Sequence, residues 1–422
     1  MSSIFSDHPN RCDCAFNSRK LPISISSTTS AEMLKPDVFI ASILANHERV
    51  DNKINVYALN KYDCMTMTDD CIPGVLSSIV NASKDDQVSV SSISFRNHAI
   101  GDAGAKAFVD IIPKTFKSRE DEENPATMTP KKHNIKLEHL DLSGNNIEAD
   151  GCTAICEAIK KNSYMRSLNL SCNPLGKGGG YAIAEMLEGN ISLQSLSCGD
   201  SEMTMDNLIA IMSVMRRNEL VESLHIPNCR TFSLQEDLAK QTSRMLEFNS
   251  NLIDLNFDRN NVGDEGAVLF ANVLQRKNSS LKRLSLAANH IGVRGAESLA
   301  SALIRGTNLE SLDLSNNRIG NDGAMAFGSA LTRNKQLRSL NLKYNSVGDE
   351  GLAEIAVGMN ENSSLSDLML WGNKFGGASS REFLNLLESR FEYFGVRIDF
   401  LPFVVDGEYQ VAETSAEKTV RE

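Results

Sequence analysis

The 422-residue chain holds 43 basic and 54 acidic side chains, for a formal charge of −11. That balance argues against a nucleic-acid groove and for basic partners. No apolar run approaches membrane-spanning length, and residues 1–30 lack the apolar core of a secretory signal, so a soluble intracellular chain with no membrane contact is expected.

In chain order, residues 1–36 are Ser-rich and short of apolar periodicity, which predicts a disordered tail outside the packed body. Residues 51–83 read as a degenerate repeat, with Ile54, Tyr57 and Leu59 as its strand and Ile72 through Val80 as its helix. A clearer copy follows in Val90, Ile93 and Phe95, with His98 after them. Residues 117–133 carry Glu120-Asp121-Glu122-Glu123 and almost nothing apolar, which predicts a mobile acidic insertion. From Leu137 onward the pattern is regular: Leu137, Leu140 and Leu142 precede Asn145, just as Leu309, Leu312 and Leu314 precede Asn317. The Asn returns at Asn145, Asn173, Asn260, Asn289, Asn317, Asn345 and Asn373, and positions 145 and 173, 289 and 317, 317 and 345, and 345 and 373 each differ by 28. Ser201 and Cys229 stand in the Asn slot of two degenerate units whose strands are Leu193, Leu196, Cys198 and Val221, Leu224, Ile226. An apolar cap helix is expected over residues 380–395 and a polar C-terminal tail over 401–422.

One unit shows why the copies must stack. Leu340 and Leu342 alternate with Ser339, Asn341 and Lys343, so a short strand turns its leucines inward and the other three outward. Asn345 follows at a corner, where its amide can satisfy exposed backbone groups of this unit and the next. Leu352, Ile355, Ala356 and Met359 then recur at helical spacing. A Gly at 104, 151, 179, 266, 295, 323 and 351 marks a close helix–sheet approach or a special backbone angle. Such a unit cannot bury its own apolar face. The expected fold is an α/β solenoid over residues 37–400, a horseshoe of about ten units with parallel strands on the concave face and helices on the convex face.

This pattern resembles the leucine-rich repeats of the ribonuclease-inhibitor type, through its long period and its Ile319-Gly320-Asn321-Asp322-Gly323 run. Three irregular places are similar to the leucine-rich repeat-containing protein 34 family. They are the long unit with Ile226, Phe232-Ser233-Leu234-Gln235-Glu236 and Met245-Leu246; Leu370-Trp371-Gly372-Asn373; and Val405-Asp406-Gly407 with Ala412-Glu413. The resemblance implies an intracellular protein of cytoplasm or nucleus, with nucleolar association, and supplies no catalytic residue.

Catalytic readings find little support. Gly176-Lys177-Gly178-Gly179-Gly180 lacks the Ser or Thr after Lys that a nucleotide loop needs. His139 and Asp141 simply occupy two outward strand slots. The nine Cys show no metal-ligand spacing; Cys152, Cys156, Cys198 and Cys229 read as small core residues of a reducing compartment. No catalytic group, metal or cofactor is expected. The expected partner-binding positions are the outward slots Asp141, Asn169, His225, Asp254, Asn256, Asp258, Arg283, Asp313, Asn341, Lys343, Asp367, Met369 and Trp371. Arg283, Lys343, Met369 and Trp371 are the most informative, because hot spots favour Arg and large side chains. Trp371 has two readings: an exposed contact, or a side chain covered by the helix of residues 383–394. The chain therefore reads as a non-enzymatic protein-binding scaffold. The alternative is a GTPase-activating protein of the Ran-activating repeat type, which needs a catalytic or orienting group on the rim.

Overall fold

The computed structural model describes residues 48–50, 53–57, 67–85, 89–112, 135–229, 235–394 and 396–414. The expected N-terminal tail, the acidic insertion and the final eight residues lie outside them. The chain opens with β1 (Glu48–Val50), β2 (Lys53–Tyr57) and α1 (Ile72–Asp85). Strand and helix then alternate: β3 (Ser89–Ser94), α2 (Asp102–Val109), β4 (Ile135–Asp141), α3 (Ala149–Lys160), β5 (Ser167–Asn169), α4 (Gly176–Gly189), β6 (Ser195–Ser197) and α5 (Met205–Met215). The alternation continues through β7 (Ser223–His225), α6 (Gln235–Phe248), β8 (Asp254–Asn256), α7 (Gly263–Arg276), β9 (Arg283–Ser285), α8 (Val293–Arg305), β10 (Ser311–Asp313) and α9 (Gly320–Arg333). It ends with β11 (Ser339–Asn341), α10 (Asp349–Glu361), β12 (Asp367–Met369), α11 (Gly377–Phe394) and β13 (Arg397–Ile398), followed by the hairpin β14 (Phe400–Val405) and β15 (Glu408–Glu413).

Strands β1 to β13 form one 13-stranded sheet in sequence order. The β1–β2 pair is antiparallel and each later pair is parallel, with like slots aligned: Leu312 opposes Leu284 on one side and Leu340 on the other. This is the expected α/β solenoid. The leucine slots are fully buried, Leu284, Leu312, Leu340 and Leu368 among them, and one aliphatic spine runs through successive coils. Phe257 and Phe270 widen it where their rings meet edge to face at 5.6 Å. Helices α9 and α10 touch backbone to backbone, because a Cβ at Gly358 would lie 2.2 Å from the Gly328 carbonyl oxygen.

The Asn ladder works as expected, with its direction reversed. Asn317 Nδ2 donates to Leu314 of its own coil (2.8 Å) and Leu286 of the preceding one (3.0 Å), while Oδ1 accepts from the preceding coil's Asn289 (3.0 Å) and Ile291 (2.9 Å). Each Asn therefore binds backward rather than toward the next unit, because the corner of the preceding coil lies beneath its amide. The residue just before it is left-handed, from Asn97 (φ 57°) through Arg259 (56°) and Asn316 (58°) to Gly372 (82°), and this reverses the chain at the corner. His98 takes the slot in its coil and accepts from the Met67 N–H through Nδ1.

Three further expectations change. A bulge after Ile54 sets Val56 opposite Ile93 and Tyr57 opposite Ser94, so Tyr57 falls one slot away from the leucine position expected for it. The Gly323 slot serves close helix–helix rather than helix–sheet contact: a Cβ there would lie 2.8 Å from the Ala296 Cβ. Residues 400–413, the start of the expected tail, form a two-stranded hairpin instead. Phe400, fully buried and packed against Phe383 at 4.8 Å, holds that hairpin to the cap helix.

Candidate partner-binding face

The outward slots form three columns across the concave face, since aligned parallel strands place equivalent residues side by side. The leading column carries Asp254, Arg283 and Asp367; the middle column carries Asp141, Asn169, His225, Asn256, Asp313, Asn341 and Met369. The trailing column carries Asp258, Lys343 and Trp371. Arg283 is exposed, Asn169 is buried and the other candidates are half-buried.

Most of the charges are matched within the face. Asp141 lies 3.8 Å from Arg96 and accepts from the Ser143 backbone and hydroxyl. Asp254 accepts from Arg283 Nε at 3.0 Å and lies 3.7 Å from His225 Nε2. Burial would raise the Asp254 carboxyl, but the hydrogen bonds and charges of His225 and Arg283 outweigh it and hold the carboxyl below its ordinary value. Asp367 pairs with Arg397 at 2.5 Å. Asp258 and Asp313 differ. Among the described residues, Asp258 accepts only from Ser285, Ala287 and Asn256, and Asp313 only from Ser315 and Asn341. Burial pushes the Asp258 carboxyl up against those hydrogen bonds, and the Asp313 charge adds to the rise.

The fold also assembles a Ser, His and Asp that the separate strands did not suggest. Ser223 Oγ lies 3.2 Å from His225 Nε2 and Asp254 Oδ2 lies 3.7 Å from the same nitrogen. A nucleophile–base–orienter relay needs the two partners on opposite ring nitrogens, so this trio is a charge cluster rather than a triad. No group of three or more His, Cys, Asp or Glu among the described residues could hold a metal.

At the C-terminal end the expected hot-spot side chains are occupied. Lys343 Nζ lies 3.0 Å from Asp399, a carboxylate only 1 % exposed. Asp399 also accepts from the Leu370 (2.8 Å) and Trp371 (3.2 Å) N–H groups. In the preceding coil, Leu342 N–H finds the Met369 carbonyl instead, so Asp399 stands in for the strand that would follow. Trp371 is half-buried and packs against the core, between its two readings. The exposed aromatic there is Tyr344, 50 % accessible, whose ring lies against Gly372.

The Leucine Rich repeat family matches residues 133–156, 161–184, 248–271, 277–300, 307–328 and 333–356. The chain is a leucine-rich repeat protein. No curated protein matches it. Among solved structures, leiomodin-1 actin-binding site 2 is similar at 21 % identity and TM-score 0.24, covering 25 % of this chain and 61 % of that one. This chain thus spans about three fifths of that structure's length. The leucine-rich repeat-containing protein LegL7 from Legionella pneumophila is similar at 20 % identity and TM-score 0.39, covering 60 % of this chain and 80 % of that one.

Two supporting ladders escaped the sequence reading. Asn190, Asn218, Asn249, Asn278, Asn334 and Asn362 follow the helices and donate to the preceding helix end, as Asn334 Nδ2 does to Leu303 at 2.9 Å, and Asn162 holds the same slot one coil earlier and accepts from the Tyr164 and Met165 N–H groups. Their 28-residue spacing, as from 162 to 190 or 334 to 362, was the available signal. Asp69, Asp102, Asp264 and Asp349 instead cap the start of the next coil's helix; Asp264 accepts from Gly292 (2.7 Å) and Gly295 (3.0 Å). Cys152, Cys156, Cys198 and Cys229 are buried and free, and burial pushes the Cys229 thiol up to about 12.

Proposed function

We propose that the chain is a non-enzymatic protein-binding scaffold of the ribonuclease-inhibitor repeat type, similar to leucine-rich repeat-containing protein 34, working in the cytoplasm or nucleus. A protein partner lies along the concave face and seats a Lys or Arg between Asp258 and Asp313. The observation that carries this reading is the mismatch in charge pairing. Asp141, Asp254, Asp367 and Asp399 each face a cation of the same chain, whereas among the described residues Asp258 and Asp313 have neutral donors only. Burial and the Asp313 charge both oppose ionisation of Asp258, and an incoming cation offsets them.

Crosslinking capture from cells, with the Asp258→Asn, Asp313→Asn double variant beside the wild type, tests it. Loss of the captured partners is expected; retention of all of them overturns the reading. A single-turnover assay with small GTPases supplies the other outcome, since clear acceleration of GTP hydrolysis would replace the scaffold with a GTPase activator.

A further inference from the structure

The C-terminal hairpin carries a second surface. Phe400 and Pro402 are buried, and the alternate residues Leu401, Phe403 and Val405 share the opposite face of β14. Leu401 and Val405 are 40 % and 44 % exposed, and Phe403 is half-buried. Across the hairpin their partners are Ala412, Gln410 and Glu408, so the apolar row continues on Ala412 and ends in acid at the tip. Residues 400–414 contain Asp406, Glu408 and Glu413 and no Lys, Arg or His. All three carboxylates are exposed.

We infer that this face docks a basic amphipathic segment of a protein partner, its apolar side chains on the Leu401–Phe403–Val405 row and its cations on Asp406 and Glu408. The inference rests on the reading of the chain as a protein-binding scaffold. Charge complementarity selects this occupant. A second copy would bring like charges together on a ribbon of six-residue strands, whose area falls well short of the roughly 1,200–2,000 Å² of a stable interface. An anionic membrane is repelled by the same carboxylates.

The test is calorimetric titration of the full chain with a leucine–lysine amphipathic peptide and its leucine–glutamate counterpart. Trp371, the single Trp, serves as a fluorescence check that each unliganded variant keeps its fold. The lysine peptide is expected to bind and the glutamate peptide to fail. Leu401→Ser with Val405→Ser, and separately Asp406→Asn with Glu408→Gln, should each weaken the lysine peptide about tenfold or more. A convex-face control, Ile304→Ser with Glu265→Gln, should leave it unchanged. Affinity within twofold of wild type in both hairpin variants, or an equal loss in the control, overturns the inference. The Asp258→Asn, Asp313→Asn variant separates the two surfaces: loss there alone leaves the concave reading standing and removes the hairpin.

Discussion

The regular coils β8 to β12 and the degenerate coils β6 and β7 share one apolar spine but not one polar corner. Leu224 and Leu340 are both fully buried. At the corner, however, Asn317 ties five backbone groups of two coils together. Ser201 and Cys229 each donate once, to the carbonyls of Cys198 and Ile226 in their own coil. A coil therefore stacks without the corner Asn, through its leucines, its strand pairing and the helix-end Asn residues, and the corner Asn adds further ties between neighbouring coils.

The largest effect tests the shared part. Leu224→Ala and Leu340→Ala should each cost about 2–5 kcal/mol in denaturant unfolding, while Ser339→Ala is nearly silent; a silent Leu224→Ala would break the continuity of the spine. Next, Asn317→Ala should cost about 3 kcal/mol, because buried groups left unpaired cost roughly 1–3 kcal/mol each. Cys229→Ala should cost clearly less, and equal losses would erase the distinction between the two regions. Conversely, Ser201→Asn should stabilise the degenerate region by about 1 kcal/mol. Hydrogen exchange reads it coil by coil, as slower exchange of amides near Leu170 and Cys198.

The smallest effect is in pH dependence. The Asp254 carboxyl is held below its ordinary 3.8, so its stabilisation is present above that value and fades as pH falls through the folded-state pKa. Asp258 is shifted upward, so its contribution is present below 3.8 and is lost as pH rises through its folded-state pKa. The stability gap between wild type and Asp254→Asn should close on acidification, and that for Asp258→Asn should open. Parallel gaps would contradict the different pairing of the two carboxylates.

Legibility followed the range of the interaction. The strand phase around Leu340, the helix of Leu352 and Ile355 and the places of Ser201 and Cys229 were all readable, since each depends on spacing within one coil. Tyr57 was misplaced because a bulge shifts register without a mark in the apolar pattern. The hairpin was missed because its alternation, Phe400 in and Leu401 out, is short and sits among acids.

The sequence by itself determined the repeat, its inward and outward slots and the solenoid they require, because a periodic apolar stripe has few ways to leave water. Only the tertiary structure decided which charges remain open. Arg283 meets Asp254 from 29 residues away and Lys343 meets Asp399 across the capped end, whereas Asp258 and Asp313 meet no cation among the described residues. Ion pairing depends on which side chains stacking brings within a few ångströms, and the sequence pattern specifies the column but not that distance.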